Sequence, residues 1–237
     1  MKSIKILKNR SDIGAGTRGS DMGIDALEIA AINTNHDFFN RHSFIDIPTH
    51  NETVYNKVKN TTAKRIKFVK TQCERLKVET KKTLEQGLFP LILSGDHSSA
   101  LGSLAGIKSA NPDKTLGVIW IDAHADLHTP FTTPSGNLHG MPVAVSLGLD
   151  NLDRTRNMVD EDLIPYWDKL KRIGSKDISP KIDTTDIVFI ALRDFEIQEY
   201  FLIHDYNMKT FQPFDIKSLG IASVIQLTID YLKECDV

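Results

Sequence analysis

The stretch LGVIWIDAHADLHTPFTTPSGNLHG, Leu116–Gly140, decides the reading of this chain. It opens on a continuous apolar run, as expected of a strand buried on both faces. It then turns into Asp122, His124 and Asp126 at alternate positions. Alternate side chains of an extended chain share a face, so these three groups converge. Ligands in open α/β sheets gather at the carboxyl ends of strands, and this is such an end.

Two other apolar runs end in the same way. FPLILS (89–94) leads into Asp96 and His97, and DIVFIAL (186–192) leads into Arg193, Asp194, Glu196 and Glu199. His97 on a neighbouring strand end can close the set formed by Asp122, His124 and Asp126. Histidines mixed with carboxylates suit a divalent ion such as Mn2+ better than thiolate-bound zinc. A buried carboxylate cluster without a cation is costly, because like charges raise one another's pKa. A lone aspartate or histidine is ordinarily a satisfied polar residue. Asp-x-His-x-Asp after an apolar strand, with Gly95-Asp96-His97-Ser98 one unit earlier, is a metal signature.

Working outward, strand candidates alternate with helix candidates. SIKIL (3–7) and SFIDIP (43–48) read as strands, and residues 24–33 as a short helix. Residues 52–85 read as helical, with Ile66, Val69, Cys73 and Leu76 forming one apolar stripe opposite a lysine face. Further helices are predicted over 100–110, from MPVAVSLG (141–148), over 195–203 and over 215–233. Such alternation implies crossover units and a parallel sheet. The glycine-rich loop 11–23 lacks the Gly-Lys-Ser/Thr ending of a phosphate loop. Its glycines allow unusual backbone angles or close approach to a neighbour.

Composition narrows the function classes. The chain has 237 residues, 41% hydrophobic and 25% charged, which suits one large α/β domain. A net charge of −2 offers no basic surface for nucleic acid or anionic membrane. The apolar runs are too short to span a bilayer, and residues 1–12 do not resemble a secretory signal. The two cysteines, Cys73 and Cys235, lack C-x-x-C spacing. Both are expected to be unreactive, in a reducing cytoplasm. His36, His42, His50 and His204 carry no motif, and Trp120 and Trp167 read as packing residues.

SGDHSSALGS (94–103) and WIDAHADLHTPFTTPSGNLHGMP (120–142) resemble the ureohydrolase family, and within it the arginases. GAGTRGSDMG (14–23) resembles that family's opening loop, with Ile24 where a proline is usual. The resemblance runs along essentially the whole chain. It implies a three-layer αβα fold with a mainly parallel central sheet. It also implies a binuclear Mn2+ site, a guanidino small-molecule substrate and a homo-oligomer, trimeric or hexameric.

Residue by residue, the resemblance implies that His97, Asp122 and Asp126 ligate one manganese. His124 ligates the other, and Asp122 bridges the two. His139 matches the proton-shuttling histidine. Thr133, Ser135 and Asn137 match positions that hold the substrate α-carboxylate. Glu196 and Glu199 align with acidic positions facing the α-amino group, where aspartate is more familiar at the first. His128 stands where arginases usually carry asparagine.

The chemistry agrees. A guanidinium carbon is electron-rich, and divalent ions supply a nucleophilic hydroxide near neutral pH. A histidine can pass a proton to the leaving amine. A loop of hydroxyls and amides gives a carboxylate neutral donors and separates arginine from agmatine. Read alone, that loop is an ordinary turn favoured by Pro134 and Gly136. Agmatinase or formimidoylglutamase activity, or a catalytically inactive metal-binding protein, are the alternatives. The family continues beyond the last helix with a strand whose aspartates complete both metal sites and with a later glutamate. Residues 1–237 are therefore expected to be one C-terminally incomplete domain with weak or absent activity by itself.

Overall fold

The computed structural model describes residues 2–174 and 178–237. In chain order they form β1 (Ile4–Asn9), α1 (Gly23–Asn33), α2 (Phe38–Arg41), β2 (Ser43–Asp46), α3 (Ile66–Glu85), β3 (Phe89–Ser94), α4 (Ala100–Ala110) and β4 (Val118–Ile121). There follow α5 (Pro142–Leu147), α6 (Ile164–Lys171), β5 (Ile187–Ile190), α7 (Ile197–Asp205), β6 (Lys209–Phe211), α8 (Pro213–Leu219) and α9 (Ile221–Leu232).

All strand pairings are parallel. The strands form two three-stranded sheets, β2-β1-β3 and β4-β5-β6. β5 shows why the fold is three-layered. Its Ile187 and Phe189 pack into a core with Val143, Leu147 and Leu202 from α5 and α7. Its Val188 and Ile190 face the other way, onto Phe211 of β6 and Val224 of α9. Helices thus cover both faces of the strand, which is what a fully apolar strand requires. A separate core joins Ile66, Val69 and Cys73 of α3 to Leu101 and Ala105 of α4 and to Trp167 and Leu170 of α6.

Several expectations need correction. β3 and β4 were read as strands buried on both faces, yet Phe89, Ile119 and Ile121 are 53%, 48% and 73% exposed. Both are edge strands among the described residues, so one side of each lacks cover. The helix expected from residue 52 begins only at Ile66. Asn51–Tyr55 is a 3-10 turn, and Arg65 at φ +58° sets the start of α3. The helix expected over 215–233 is two helices, broken at Gly220 with φ +78°. Short α2, α6 and β6 were not anticipated. The last residue pairs with the sheet: Gly117 N–H donates to Val237 O and Val237 N–H donates to Thr115 O. That is the pattern of a parallel partner lying beside the start of β4.

Candidate metal centre and active-site cleft

The site forms where β3, β4 and β5 end. Past β3, Asp96 caps a 3-10 turn over His97–Ser99 by accepting from Ser98 N–H at 2.9 Å. Its other oxygen accepts from Gly14 N–H at 2.9 Å. Gly14 has no side chain because one would collide: a Cβ there would lie 2.5 Å from Asp96 Oδ1 and 2.3 Å from Ser98 Oγ. The opening loop therefore clamps the turn that carries His97. Gly14 O in turn accepts from His139 N–H at 3.3 Å, tying a second site histidine to the same loop.

Past β4, the backbone is bent to present its carboxylates. Asp126 adopts φ +53°, a region a non-glycine residue enters only under constraint. Its carbonyl accepts from Val143 and Ala144 N–H at the start of α5, which holds that conformation. Past β5, Ala191 is likewise left-handed at φ +70°, and Arg193 and Asp194 N–H both donate to Ala123 O. The two strand ends are locked together.

His97, Asp122 and Asp126 each offer a ligand atom within 4.8 Å of the others. His97 Nδ1 lies 2.8 Å from Asp126 Oδ2 and 3.0 Å from Asp122 Oδ2. Burial works against the charged form of His97, but Asp126 and then Asp122 outweigh it, and its pKa is raised. Burial likewise opposes ionisation of Asp122, and the His124 N–H bond with the His97 charge lowers its pKa overall. His124 stands slightly apart. Its Nδ1 is 3.3 Å from Asp122 Oδ1, and its Nε2 is 3.5 Å from Asp194 Oδ2.

A second cluster adjoins the first. His128 Nε2 lies 2.7 Å from Glu196 Oε2 and 3.5 Å from Glu199 Oε2, and its Nδ1 meets Thr132 Oγ1 at 3.2 Å. Glu196 is the N-cap of α7 and Glu199 its third residue, joined as a reciprocal capping box. Glu199 also accepts from Leu127 N–H at 3.0 Å. Burial, then the Glu196 carboxyl, push Glu199 up to about 8. Burial also acts on Glu196, but the His128 bond lowers its pKa below the ordinary carboxylate value. Adjacent acids are thus driven apart, one ionised and one neutral near pH 7.

The polar loop closes the cleft. Thr133 Oγ1 accepts from Gly136 N–H at 2.9 Å, and Ser135 Oγ accepts from Asn137 N–H at 3.1 Å. Both hydroxyl protons remain available to a ligand. All eleven residues singled out from the sequence line one cleft of about 320 Å3. Asp194 beside His124, Thr132 behind His128 and Asp96 beneath His97 join the site with no role expected from the sequence. Trp120 was read as a packing residue; it is buried, and its ring also stacks on His97 at 4.4 Å. Its place next to the end of β4, two residues ahead of Asp122, was the available signal.

The residues present fit a divalent cation. Asp126 Oδ2 is buried and has no aligned hydrogen-bond donor, and carboxylates with imidazole nitrogens are the donors Mn2+ accepts. Cys73, by contrast, is buried, its Sγ directed at Ser98 O, and burial pushes its thiol up to about 12.

Comparison with known proteins agrees. The model of the arginase family matches residues 2–237. An arginase of Bacillus subtilis is 36% identical over 237 residues, covering 99% of this chain and 72% of that protein. A Staphylococcus aureus arginase is 32% identical, covering 100% of this chain and 72% of its own length. The crystal structure of Bacillus caldovelox arginase superposes with a TM-score of 0.79 at 34% identity, covering 99% of this chain and 72% of that one.

Proposed function

The chain belongs to the arginase family, and on that premise we propose that it converts L-arginine to L-ornithine and urea with two Mn2+ ions. Membership makes it a hydrolase acting on guanidino substrates. The observation that carries the finer reading is the cleft itself: one cavity brings the orphaned Asp126 oxygen, a free-standing histidine and a neutral polar loop together.

His97, Asp122 and Asp126 would hold one ion, and Asp122 with His124 would contribute to the second. When bound, such ions are Lewis acids that make water nucleophilic near neutral pH. The chain's own groups do the rest. Thr133 and Ser135 hydroxyls and the Asn137 amide donate to the substrate carboxylate. Ionised Glu196 faces the α-amino group, while Glu199 stays neutral and adds no second charge. His139, exposed on the cleft wall, holds a proton on its ring for the leaving amine.

We read residues 1–237 as one domain in which β3 and β4 are each the last strand of a three-stranded sheet among the described residues. Residues 1–237 alone should turn over slowly. A cytoplasmic homo-oligomer is the setting this reading implies. Among the described residues no helix is long and apolar enough to cross a membrane.

The test pairs metal analysis with urea release from arginine, agmatine and formimidoylglutamate. Bound manganese and a preference for arginine support the reading. Faster turnover of agmatine, or a protein that takes up no divalent metal, overturns it.

A further inference from the structure

A larger cavity, of about 540 Å3, contains none of the eleven site residues. It opens between the segment leading into α3 and the start of α6. Lys57, Lys59, Arg65, Lys67 and Lys169 line it, against one carboxylate, Asp162. Asp162 is already taken by Lys59 Nζ at 2.6 Å. The whole chain carries a net charge of −2, so this positive charge is concentrated locally.

The walls point the same way. Lys67 and Lys169 Nζ lie 4.5 and 5.7 Å from the Tyr166 ring centroid. Lys67 also holds the Tyr166 hydroxyl below its ordinary pKa. α3 begins here and runs twenty residues with no acidic side chain in its first turn, so its terminal N–H groups add to the positive field. Arg65, left-handed at φ +58°, is held there by its guanidinium, which donates to Thr53 O at 3.1 Å and Val54 O at 2.7 Å.

We propose that this cavity binds an oligophosphate, either inorganic or the phosphate tail of a nucleotide, and that its occupancy is transmitted to the loop Thr133–Asn137. The route is short. The wall segment 60–66 packs directly on that loop: Lys64 N–H donates to Gly136 O at 2.8 Å. Gly136 is so close that a Cβ on it would lie 1.7 Å from Thr61 O. Arg65 Nη1 and Asn137 Oδ1 lie against the same face of Gly16, 3.1 and 3.2 Å from where its Cβ would stand. Drawing Lys57, Lys67 and Lys169 around an anion orders segment 60–66, and Gly136 cannot stay indifferent. Naming 133–137 a substrate loop rests on the reading above; the binding claim does not.

The 237-residue chain is titrated calorimetrically with inorganic tripolyphosphate, and in parallel with ATP, in chelator at fixed ionic strength. One tripolyphosphate per chain is expected. The triple variant Lys57→Ala/Lys67→Ala/Lys169→Ala should weaken it by about tenfold or more, the sum of three modest charge contacts. The control Lys114→Ala/Lys217→Ala/Lys233→Ala should leave it unchanged. About tenfold weaker binding of ATP assigns the inorganic ligand, and equal or tighter binding admits the phosphate tail of a nucleotide; each supports the site. No binding by either probe, or equal weakening in both triple variants, overturns it. Hydrogen exchange reads the coupling. Tripolyphosphate should slow exchange in 61–68 and in 133–140, and protection confined to 61–68 overturns transmission.

Discussion

His97 Nδ1 stands 2.8 Å from Asp126 Oδ2, and that enclosed oxygen has no aligned hydrogen-bond donor. The imidazole is the nearest available counter-charge, held in place by its stack on Trp120. The pair belongs to the candidate cation site, with the protein's own ring beside the carboxylate.

Replacing Asp126 by Asn should therefore separate metal binding from folding. Mn2+ affinity should fall by at least about tenfold, the lower end of what even outer-sphere partners cost. At a metal concentration a hundred times Kd the wild type should gain about 2.7 kcal/mol, and the variant far less. In chelator the variant should be somewhat less stable than the wild type, having lost the His97 partner, and that loss is independent of added Mn2+. Thermal melts with and without Mn2+ check both; identical metal-induced shifts would refute the assignment.

Glu199 makes a pH prediction with a definite sign. Its pKa is raised to about 8 in the fold, above the ordinary glutamate value. Between those two values the folded state binds the extra proton, so this group's contribution to stability falls as pH rises through that window and levels off above it. Urea unfolding of wild type and Glu199→Gln from pH 5 to 8 should show a flatter slope in the variant. A slope unchanged by the substitution would remove Glu199 as its source.

Gly136→Ala should be strongly destabilising. The residue sits at φ +71° and its added Cβ would drive into Thr61 O. Left-handed strain and collision together should cost about 2 kcal/mol or more, a fall in Tm of roughly 4–8 °C for a chain of this size. Gly19→Ala, with no neighbour within 4 Å of its Cβ position, tests backbone strain without collision. Equal losses for the two would rule out the steric account.

The cysteines should titrate separately. Cys73 is 1% exposed with a thiol pushed up to about 12, while Cys235 is partly exposed. A thiol reagent should modify one group in the native protein and two in denaturant. Rapid native modification of both would contradict the burial of α3 against the His97 turn.

The site was more legible than its surroundings. Asp122, His124 and Asp126 share a short stretch, and the period of an extended chain suffices to bring them together. The pairing of His128 with Glu196 was invisible, because sixty-eight residues separate them and only the docking of α7 brings them to 2.7 Å. The break at Gly220 and the late start of α3 were misread because apolar spacing is indifferent to a single left-handed residue. Arg65 is held left-handed by carbonyls of a distant turn, which no local propensity encodes. β3 and β4 were misjudged for a different reason: an apolar run records that a strand can be covered, not whether something lies alongside it.

Those two uncovered strands carry a practical consequence. A parallel edge with free amides and carbonyls, and with Ile121 standing out from it, is a template for strand addition by any extended segment. Concentrated preparations of residues 1–237 should thicken into ordered aggregates, and a charged residue at Ile119 or Ile121 should delay the turbidity.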